Sequence, residues 1–346
     1  MWHSTLGRTG SDVSALACGS NALRLHDTLT AEIVFNYALD SGITFIETGR
    51  MYDEGKTEEW IGKAVSHRRG EYVLASKCWA GNSYEDAARE IDLSLEALQT
   101  DHIDHYRLAP VDTHEILAQA LAPGGAQRAI EEAREAGKIS YTGITGHRPE
   151  VLTAALETGR FDTVLFVLNM VTYNEQNRRL IQLAADLGVG MMLMRPLDHG
   201  ALLPVPALRF ALASGVDTVL CGMYSPLELD RNLAIAGAEP SELERASLRQ
   251  EAEELSTGCL RCQGPDGPPC KCPLGIDVRQ IMLMSRYRAK HGLLPAAELQ
   301  WSTVAEAAKR CDECMHCEER CPAKLSIVPS IHEAARSRLG SGIDAM

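Results

Sequence analysis

The chain lacks several features that would each have fixed a class of function. No run of about 20 uninterrupted apolar residues occurs, so a membrane-spanning helix is excluded. Basic residues are in deficit: 34 Lys and Arg face 47 Asp and Glu, a formal net charge of −13. That balance argues against nucleic acid and anionic membrane surfaces as partners. The amino terminus, Trp2-His3-Ser4 and then Gly7-Arg8-Thr9-Gly10, lacks the basic, apolar and small-residue succession of a secretory leader. No Gly-x-Gly-x-x-Gly turn follows a strand-like run, which counts against an open dinucleotide-binding sheet. The 45% apolar content supports a sizeable core, and 346 residues at about 150 per domain predict two domains.

Cysteine is plentiful and unevenly placed. Eight of the eleven lie in the last quarter of the chain. Four read Cys311-x2-Cys314-x2-Cys317-x3-Cys321-Pro322, the spacing of a bacterial ferredoxin [4Fe–4S] run. Structural zinc sites present two separated pairs rather than so compact a triplet. Upstream stand Cys259-x2-Cys262 and Cys270-x-Cys272-Pro273, separated by the turn-forming Gly264-Pro265-Asp266-Gly267-Pro268-Pro269. If the crossover rule of two-cluster ferredoxins holds, Cys311, Cys314, Cys317 and Cys272 hold one cluster. Cys259, Cys262, Cys270 and Cys321 then hold the other. A zinc clip of two Cys pairs is the competing reading of the upstream group. Helical spacing over Val278–His291 and Ser302–Arg310 gives this region a resemblance to the α-helical ferredoxin module, which implies electron transfer between two clusters. Thiol clusters need a reducing compartment, which points to the cytoplasm.

The first three-quarters repeat a strand-like run followed by a helical segment eight times. The strand candidates are Val13–Cys18, Thr44–Thr48, Tyr72–Lys77, Ile103–Leu108, Ser140–Thr145, Thr163–Asn169, Val189–Arg195 and Thr218–Gly222. The helices between them include Thr30–Asp40, Thr57–Val65, Tyr84–Leu98, Ala126–Ala136, Pro149–Glu157, Glu175–Leu187, Pro206–Ala213 and Pro226–Ala236. Such alternation implies a parallel sheet and predicts an α/β (β/α)8 TIM barrel over residues 1–255. A small α-helical ferredoxin-like iron–sulfur domain is expected over residues 256–346.

In a barrel, chemistry sits at the carboxyl ends of the strands. Those ends carry Glu47 with Arg50 and Tyr52, Lys77 with Trp79, Ala109, Gly146 with His147, Asn169, Met194 with Arg195, and Gly222. An acid, a phenol and a lysine therefore converge on one rim. A phenol with an ordinary pKa of about 10 becomes a better proton donor beside an ammonium that a carboxylate holds in place. Trp79, Tyr84 and Met194 are candidates to line a substrate pocket. Arg50 and Arg195 are candidates for a substrate carboxylate or phosphate. Cys18, Cys78 and Cys221 read as small buried apolar residues.

From Leu6-Gly7-Arg8-Thr9-Gly10 to Asn232 the sequence resembles an aldo/keto reductase. The resemblance is carried by Phe45-Ile46-Glu47-Thr48-Gly49-Arg50-Met51-Tyr52, Ala75-Ser76-Lys77, Asp101-His102-Ile103-Asp104-His105-Tyr106, Gly143-Ile144-Thr145-Gly146-His147, Met194-Arg195-Pro196-Leu197 and Gly222-Met223-Tyr224-Ser225-Pro226. With the cysteine-rich tail, it is similar to the subgroup whose members end in an iron–sulfur domain. The family's Asp–Tyr–Lys–His tetrad implies Tyr52 as proton donor, Lys77 beside it and Glu47 in place of the aspartate. Ala109 stands where the family has histidine, a departure that costs about 10²–10⁴-fold in carbonyl chemistry. His147 is the candidate substitute.

For a nicotinamide, the resemblance implies a site built from Asn169, Arg195, Gly222, Ser225, Arg231 and Asn232. The helix after Pro226 offers an anion-binding N-terminus. It carries Glu228 and Asp230, which repel a 2′-phosphate and favour NAD(H) over NADP(H). The expected function is oxidoreduction of a small organic substrate, at a carbonyl, an alcohol or an activated C=C bond, with two [4Fe–4S] clusters as the electron conduit. A ferredoxin or flavodoxin is then a candidate electron partner. Two alternatives remain: a non-catalytic barrel serving redox sensing or scaffolding, and an NADH-dependent carbonyl reductase whose clusters are structural.

Overall fold

A computed structural model describes residues 1–21, 27–200, 202–256, 272–291, 304–321 and 324–336. It divides into two compact units. One holds Met1–Asn169, Tyr173–His199 and Pro204–Arg249; the other holds Met170–Thr172, Gly200–Leu203 and the described residues from Gln250 onward.

The first unit is a closed eight-stranded barrel in which every neighbouring pair is parallel. Its strands are β3 (Leu16–Gly19), β4 (Phe45–Glu47), β5 (Val73–Trp79), β6 (Ile103–Ala109), β7 (Ile139–Gly146), β8 (Thr163–Val167), β9 (Gly190–Met194) and β10 (Thr218–Gly222). The helices between them are α1 (Thr28–Asp40), α2 (Lys56–Val65), α3 (Tyr84–Leu98), α4 (His114–Leu121), α5 (Ala126–Glu135), α6 (Pro149–Glu157), α7 (Glu175–Asp186), α8 (Pro204–Ala213) and α9 (Pro226–Ala236).

Local chemistry explains these boundaries. In α3, Ser83 caps the helix by accepting from the Asp86 N–H, and Glu85 and Asp86 complement the dipole of the first turn. Ala87, Ile91, Ser94 and Leu98 then recur at helical spacing on the buried face, and Gln99 ends the helix in a left-handed conformation. Helix α4 is an element the sequence reading did not anticipate; Thr113 caps it by accepting from the Ile116 N–H at 3.2 Å.

The expected strand Val13–Cys18 is in fact two. Asp12–Ser14 (β2) pairs antiparallel with His3–Thr5 (β1), and only Leu16–Gly19 enters the barrel. The break follows from Ser14, whose hydroxyl donates to the Leu16 carbonyl at 2.6 Å and accepts from the Thr44 N–H. The hairpin lies at the amino ends of the strands, where Arg8 N–H donates to the Gly188 carbonyl and Leu6 is fully buried. Gly7 has φ +49°, and a Cβ there would stand 2.3 Å from the Gly190 nitrogen, so only glycine fits.

Leu6, Val13, Ala17, Phe45, Ala75, Leu165, Met192 and Leu220 form an apolar cluster of this unit. His105 packs at its edge, with its ring centroid 6.0 Å from that of Phe45 and 5.2 Å from that of Tyr141. Burial lowers the His105 imidazole to about 3, helped by the Arg107 charge. Glu47, Lys77 and Arg107 stand two residues beyond Phe45, Ala75 and His105 on their strands, so the period of two puts them on the same face, nearer the carboxyl ends. The core thus changes from apolar to charged within one pleat.

The second unit contains helix α10 (Val278–His291), a helical stretch at 304–308, a short helix at His316–Glu319 and a helix at Val328–Arg336 that packs against α10. Buried Ile281, Met282, Leu283, Ile327, Ile331 and Ala334 are among its core residues. No described helix is long and apolar enough to cross a membrane.

Leu6 fills the barrel floor with no exposure, so Leu6→Ala is expected to destabilise the protein by about 2–5 kcal/mol. Equilibrium unfolding in urea checks this; a midpoint equal to the parent's would mean that the hairpin is not part of the cooperative core.

Candidate active site

The rim residues singled out in the sequence fall into two groups in the structure. At the first, Glu47 and Lys77 are each 3% exposed and form an ion pair. Lys77 Nζ also donates to the Thr48 carbonyl at 2.7 Å. The ammonium lies over the face of Tyr52, 4.3 Å from the ring centroid. Tyr52 itself is partly exposed and opens the short helical turn Tyr52–Gly55. The acid, lysine and phenol are therefore assembled in one place, two of them buried and the third reaching the surface.

A fourth member escaped the sequence reading. Arg107 is fully buried, and its Nη2 donates to the same Glu47 Oε1 at 3.2 Å. Its Nη1 lies 3.2 Å from Met192 Sδ, and its Nε has no partner. Gly143 makes room for it: a Cβ there would stand 2.6 Å from Arg107 Cγ and 2.4 Å from Thr163 Oγ1. One carboxylate thus serves two cations. Burial brings Lys77 down to about 8, with Glu47 opposing and Arg107 reinforcing the shift. Burial also lowers Arg107, against the pull of Glu47. The signal for Arg107 was present in the sequence, since His105 and Arg107 occupy the inward face of a barrel strand where apolar residues are the rule.

Arg50 does not face the mouth as a free guanidinium. Its Nη1 donates to Glu58 at 3.0 Å and its Nη2 to the Glu54 carbonyl at 3.1 Å. Glu58 has no exposure and also accepts from Ser76 Oγ at 2.6 Å. Burial raises the Glu58 carboxyl, against the hydrogen bonds from Ser76, Ser94 and Arg50. This pair clamps the loop that carries Tyr52, and Gly55 has φ +92°, which favours glycine, with the Arg50 guanidinium lying where a Cβ would project.

The second group is Asp112, His147 and Arg195. Asp112 accepts from the His147 backbone N–H at 2.6 Å and pairs with His147 Nδ1 at 2.9 Å. Nε2 of His147 meets Arg195 Nη2 at 2.9 Å. Both ring nitrogens are engaged, so His147 is held in this relay, while Ala109 leaves the histidine position of the tetrad with a buried methyl group. Asn169 is buried and donates to the Arg195 carbonyl at 3.1 Å.

At the end of β10 the turn into α9 is held by the chain's own polar groups. Ser225 caps α9 by accepting from the Glu228 N–H, and the Glu228 carboxylate accepts from the Tyr224 N–H at 2.7 Å. Gly222 and Arg231 are exposed, Asn232 is buried, and Asp230 accepts from the Tyr37 hydroxyl at 2.8 Å. Of the expected pocket aromatics, Trp79 is 51% exposed, whereas Tyr84 is turned onto α5, beneath the Arg128 guanidinium. Cys18, Cys78 and Cys221 are buried as expected; burial pushes the thiols of Cys18 and Cys221 up to about 12 and raises that of Cys78.

Cys259, Cys262 and Cys270 lie outside the described residues. Cys272, Cys311, Cys314, Cys317 and Cys321 are in no disulfide among the described residues. Cys314 is flanked by Glu313 and Met315, both with left-handed φ, and the Leu325 N–H donates to Cys321 Sγ at 3.4 Å. Backbone of alternating hand turns N–H groups toward an anionic group. Among the described residues no three His, Cys, Asp or Glu side chains converge on a point as they would on a single ion. A cubane takes each thiolate at a separate iron, so convergence on one point is not what it requires.

Burial is the main cause of the low Lys77 value, and Arg107 is the neighbouring cation that adds to it. Arg107→Met is expected to raise the Lys77 midpoint from about 8 by roughly one pH unit or more, because a buried cation is removed and Glu47 pairs with Lys77 alone. Arg107→Lys should keep it low. The measurement is a 13C titration of lysine Cε signals, with Lys77 assigned through Lys77→Met.

Comparison with known proteins bears on the family of the chain. Residues 15–205 match the model of the aldo/keto reductase family. The chain is similar to an uncharacterised oxidoreductase, YrpG, of Bacillus subtilis, at 30% identity over 58% of this chain and 68% of that one. It is also similar to L-galactose dehydrogenase of Arabidopsis thaliana, at 26% identity over 71% of this chain and 90% of the relative. Among solved structures, aldo-keto reductase AKR11C1 from Bacillus halodurans superposes with a TM-score of 0.64 at 23% identity, over 74% of this chain and 96% of that one. The barrel, its charged mouth and these matches together establish that the chain belongs to the aldo/keto reductase family of oxidoreductases.

Proposed function

We propose that the protein interconverts a carbonyl and an alcohol on a small organic substrate, with Tyr52 moving the proton, and that its cysteine-rich region carries two [4Fe–4S] clusters. The observation that carries the first part is the buried Glu47–Lys77–Arg107 assembly beneath the Tyr52 ring. In the reducing direction a C–H bond forms at the carbonyl carbon. The oxygen takes the proton of Tyr52 Oη, and the C=O π bond becomes the O–H bond of the alcohol. A reduced nicotinamide, when bound, would supply the hydride. Lys77, fixed by Glu47 and the Thr48 carbonyl, stabilises the negative charge left on Tyr52 when its proton departs. Arg50 and Glu58 hold the Tyr52 loop in place while this occurs.

The Glu228 carboxylate on the Tyr224 N–H, with Asp230 two residues on, favours NAD(H) over NADP(H), since a 2′-phosphate would meet negative charge. Iron–sulfur clusters supply single electrons. Cys311, Cys314, Cys317 and Cys272 are the candidate ligands of one, and Cys259, Cys262, Cys270 and Cys321 of the other. The all-thiolate donor set, its spacing and the N–H bond to Cys321 Sγ support this reading. A reducing, cytoplasmic setting follows from the thiols, and a ferredoxin or flavodoxin is the kind of partner such clusters would exchange electrons with.

Tyr52→Phe removes the proton donor and is expected to lower kcat by about 10²–10⁴-fold in a carbonyl-reduction assay with NADH. Turnover near that of the parent would remove Tyr52 from the mechanism. In the parent, reduction needs the protonated Tyr52–Lys77 pair, so kcat/KM should fall as pH rises through about 8, where Lys77 loses its charge. Anaerobically purified protein should hold about eight iron atoms and as many acid-labile sulfides per chain. Zinc in their place would refute the cluster assignment.

A further inference from the structure

The helix at Val328–Arg336 starts on a residue that cannot cap it. Ile327, just ahead of it, is apolar and fully buried, and its carbonyl accepts from the Ile331 N–H. Pro329 has no N–H to satisfy. The N–H groups of Ile327 and Val328 are met from a distance: Glu318 Oε1 accepts both, at 2.6 and 2.7 Å. A carboxylate on two backbone donors at a helix N-terminus is a charge-assisted cap.

Glu318 stands between two cysteines. It lies in the short helix His316–Glu319, directly after buried Cys317, and its carbonyl accepts from the N–H of buried Cys321 at 3.1 Å. Residues four apart share a face if a helix runs on, so Cys317 and Cys321 would then present their thiols to one side. The helix stops at Glu319 instead. Beyond Cys321, the Lys324 N–H donates to the Cys321 carbonyl at 3.0 Å, and the Leu325 N–H reaches Cys321 Sγ at 3.4 Å. Lys324 has φ +48°, a left-handed conformation that its surroundings must hold. Glu318 thus holds Cys321 by its carbonyl and the chain beyond Cys321 by its carboxylate.

The helix so capped packs against α10, with Ile331 and Ala334 among its buried residues and Ile281 and Met282 among those of α10. Cys272 precedes α10, and its carbonyl accepts from the Gly275 N–H at 3.0 Å. The packed helices therefore tie the downstream cysteine run to the upstream one, and Glu318 fastens Cys321 to that tie.

We propose that Glu318 is a positioning residue for Cys321, turning its thiolate away from the cluster of Cys311, Cys314 and Cys317 and toward the one assigned to Cys259, Cys262 and Cys270. The inference rests on the two-cluster reading and adds the residue that allots the shared run's last cysteine. Without the carboxylate, the upstream cluster keeps three thiolates. The unheld corner loses its iron as Fe2+, and the remaining three-iron, four-sulfide core gives up one electron to an added oxidant to become paramagnetic.

The test counts iron and acid-labile sulfide in the anaerobically purified full chain. The parent should hold about eight of each. Glu318→Ala should keep the sulfides and hold about seven irons; after one equivalent of ferricyanide its three-iron EPR signal should exceed that of the parent, treated alike, by about tenfold. Glu318→Gln, whose amide oxygen still accepts both N–H groups, should restore the parent's iron. Cys321→Ala should match Glu318→Ala, and the double variant should add nothing to either change. Val328→Pro removes one of the two donors at a helix position that tolerates proline, and should give the same signal more weakly even if Glu318→Ala does not fold. A parent count of iron in both Glu318→Ala and Val328→Pro would overturn the role of Glu318 and leave the two-cluster reading standing. So would loss of both clusters from a chain whose barrel still folds by circular dichroism. A parent without iron would refute the cluster reading, and the inference with it.

Discussion

One carboxylate oxygen shared between two buried cations organises the upper half of this barrel. Glu47 Oε1 receives both Lys77 and Arg107, from the neighbouring strands β5 and β6. Removing charges from water is expensive, and the attraction between them offsets that cost only when every partner is in place. The assembly therefore ties three strands together more strictly than apolar packing would. It also carries an excess of positive charge against the face of Tyr52. An aldo/keto reductase in which alanine replaces the histidine has lost one polar group at the mouth. This chain has placed a guanidinium one pleat below it on the same strand.

The acid beneath the phenol and the acid beside it have different tasks. Glu47 holds cations and faces the chemistry, whereas Glu58 holds Arg50 and thereby the turn on which Tyr52 sits. After β10, two strands from β4 around the barrel, the Glu228 carboxylate accepts from the Tyr224 N–H just ahead of the cap of α9. The barrel is thus rich in cations at its centre and acidic at the turn after β10. That distribution bears on which part of a ligand carries charge.

Much of the fold was legible because strand and helix periods are distinct and the eight βα repeats are regular. Thr218–Gly222, Tyr84–Leu98, Pro149–Glu157, Pro226–Ala236 and Val278–His291 have the bounds the residues imply. The hairpin was not legible, because its division from β3 depends on where the Ser14 hydroxyl bonds, a tertiary fact involving Thr44 thirty residues away. Glu47, Tyr52 and Lys77 could be read as a group from their places at strand ends. Arg107 could not be paired with Glu47 from spacing alone, since they meet only across the closed barrel. Arg50 illustrates the reverse error: a rim arginine looks like a ligand holder until its buried partner, Glu58, is known.

Gly143 has a bearing on how such a site can arise. The space taken by the Arg107 side chain is the space a Cβ at 143 would occupy, from a neighbouring strand. The two positions cannot be exchanged independently. A barrel with alanine at 143 has no room for the arginine. A barrel with glycine at 143 and a small residue at 107 has a void beside a carboxylate and a lysine. Glycine first and arginine second is the passable order of substitution, and reversal requires the arginine to leave before any side chain returns at 143. An absent methyl group therefore acts as a ratchet on the charge of the barrel's interior.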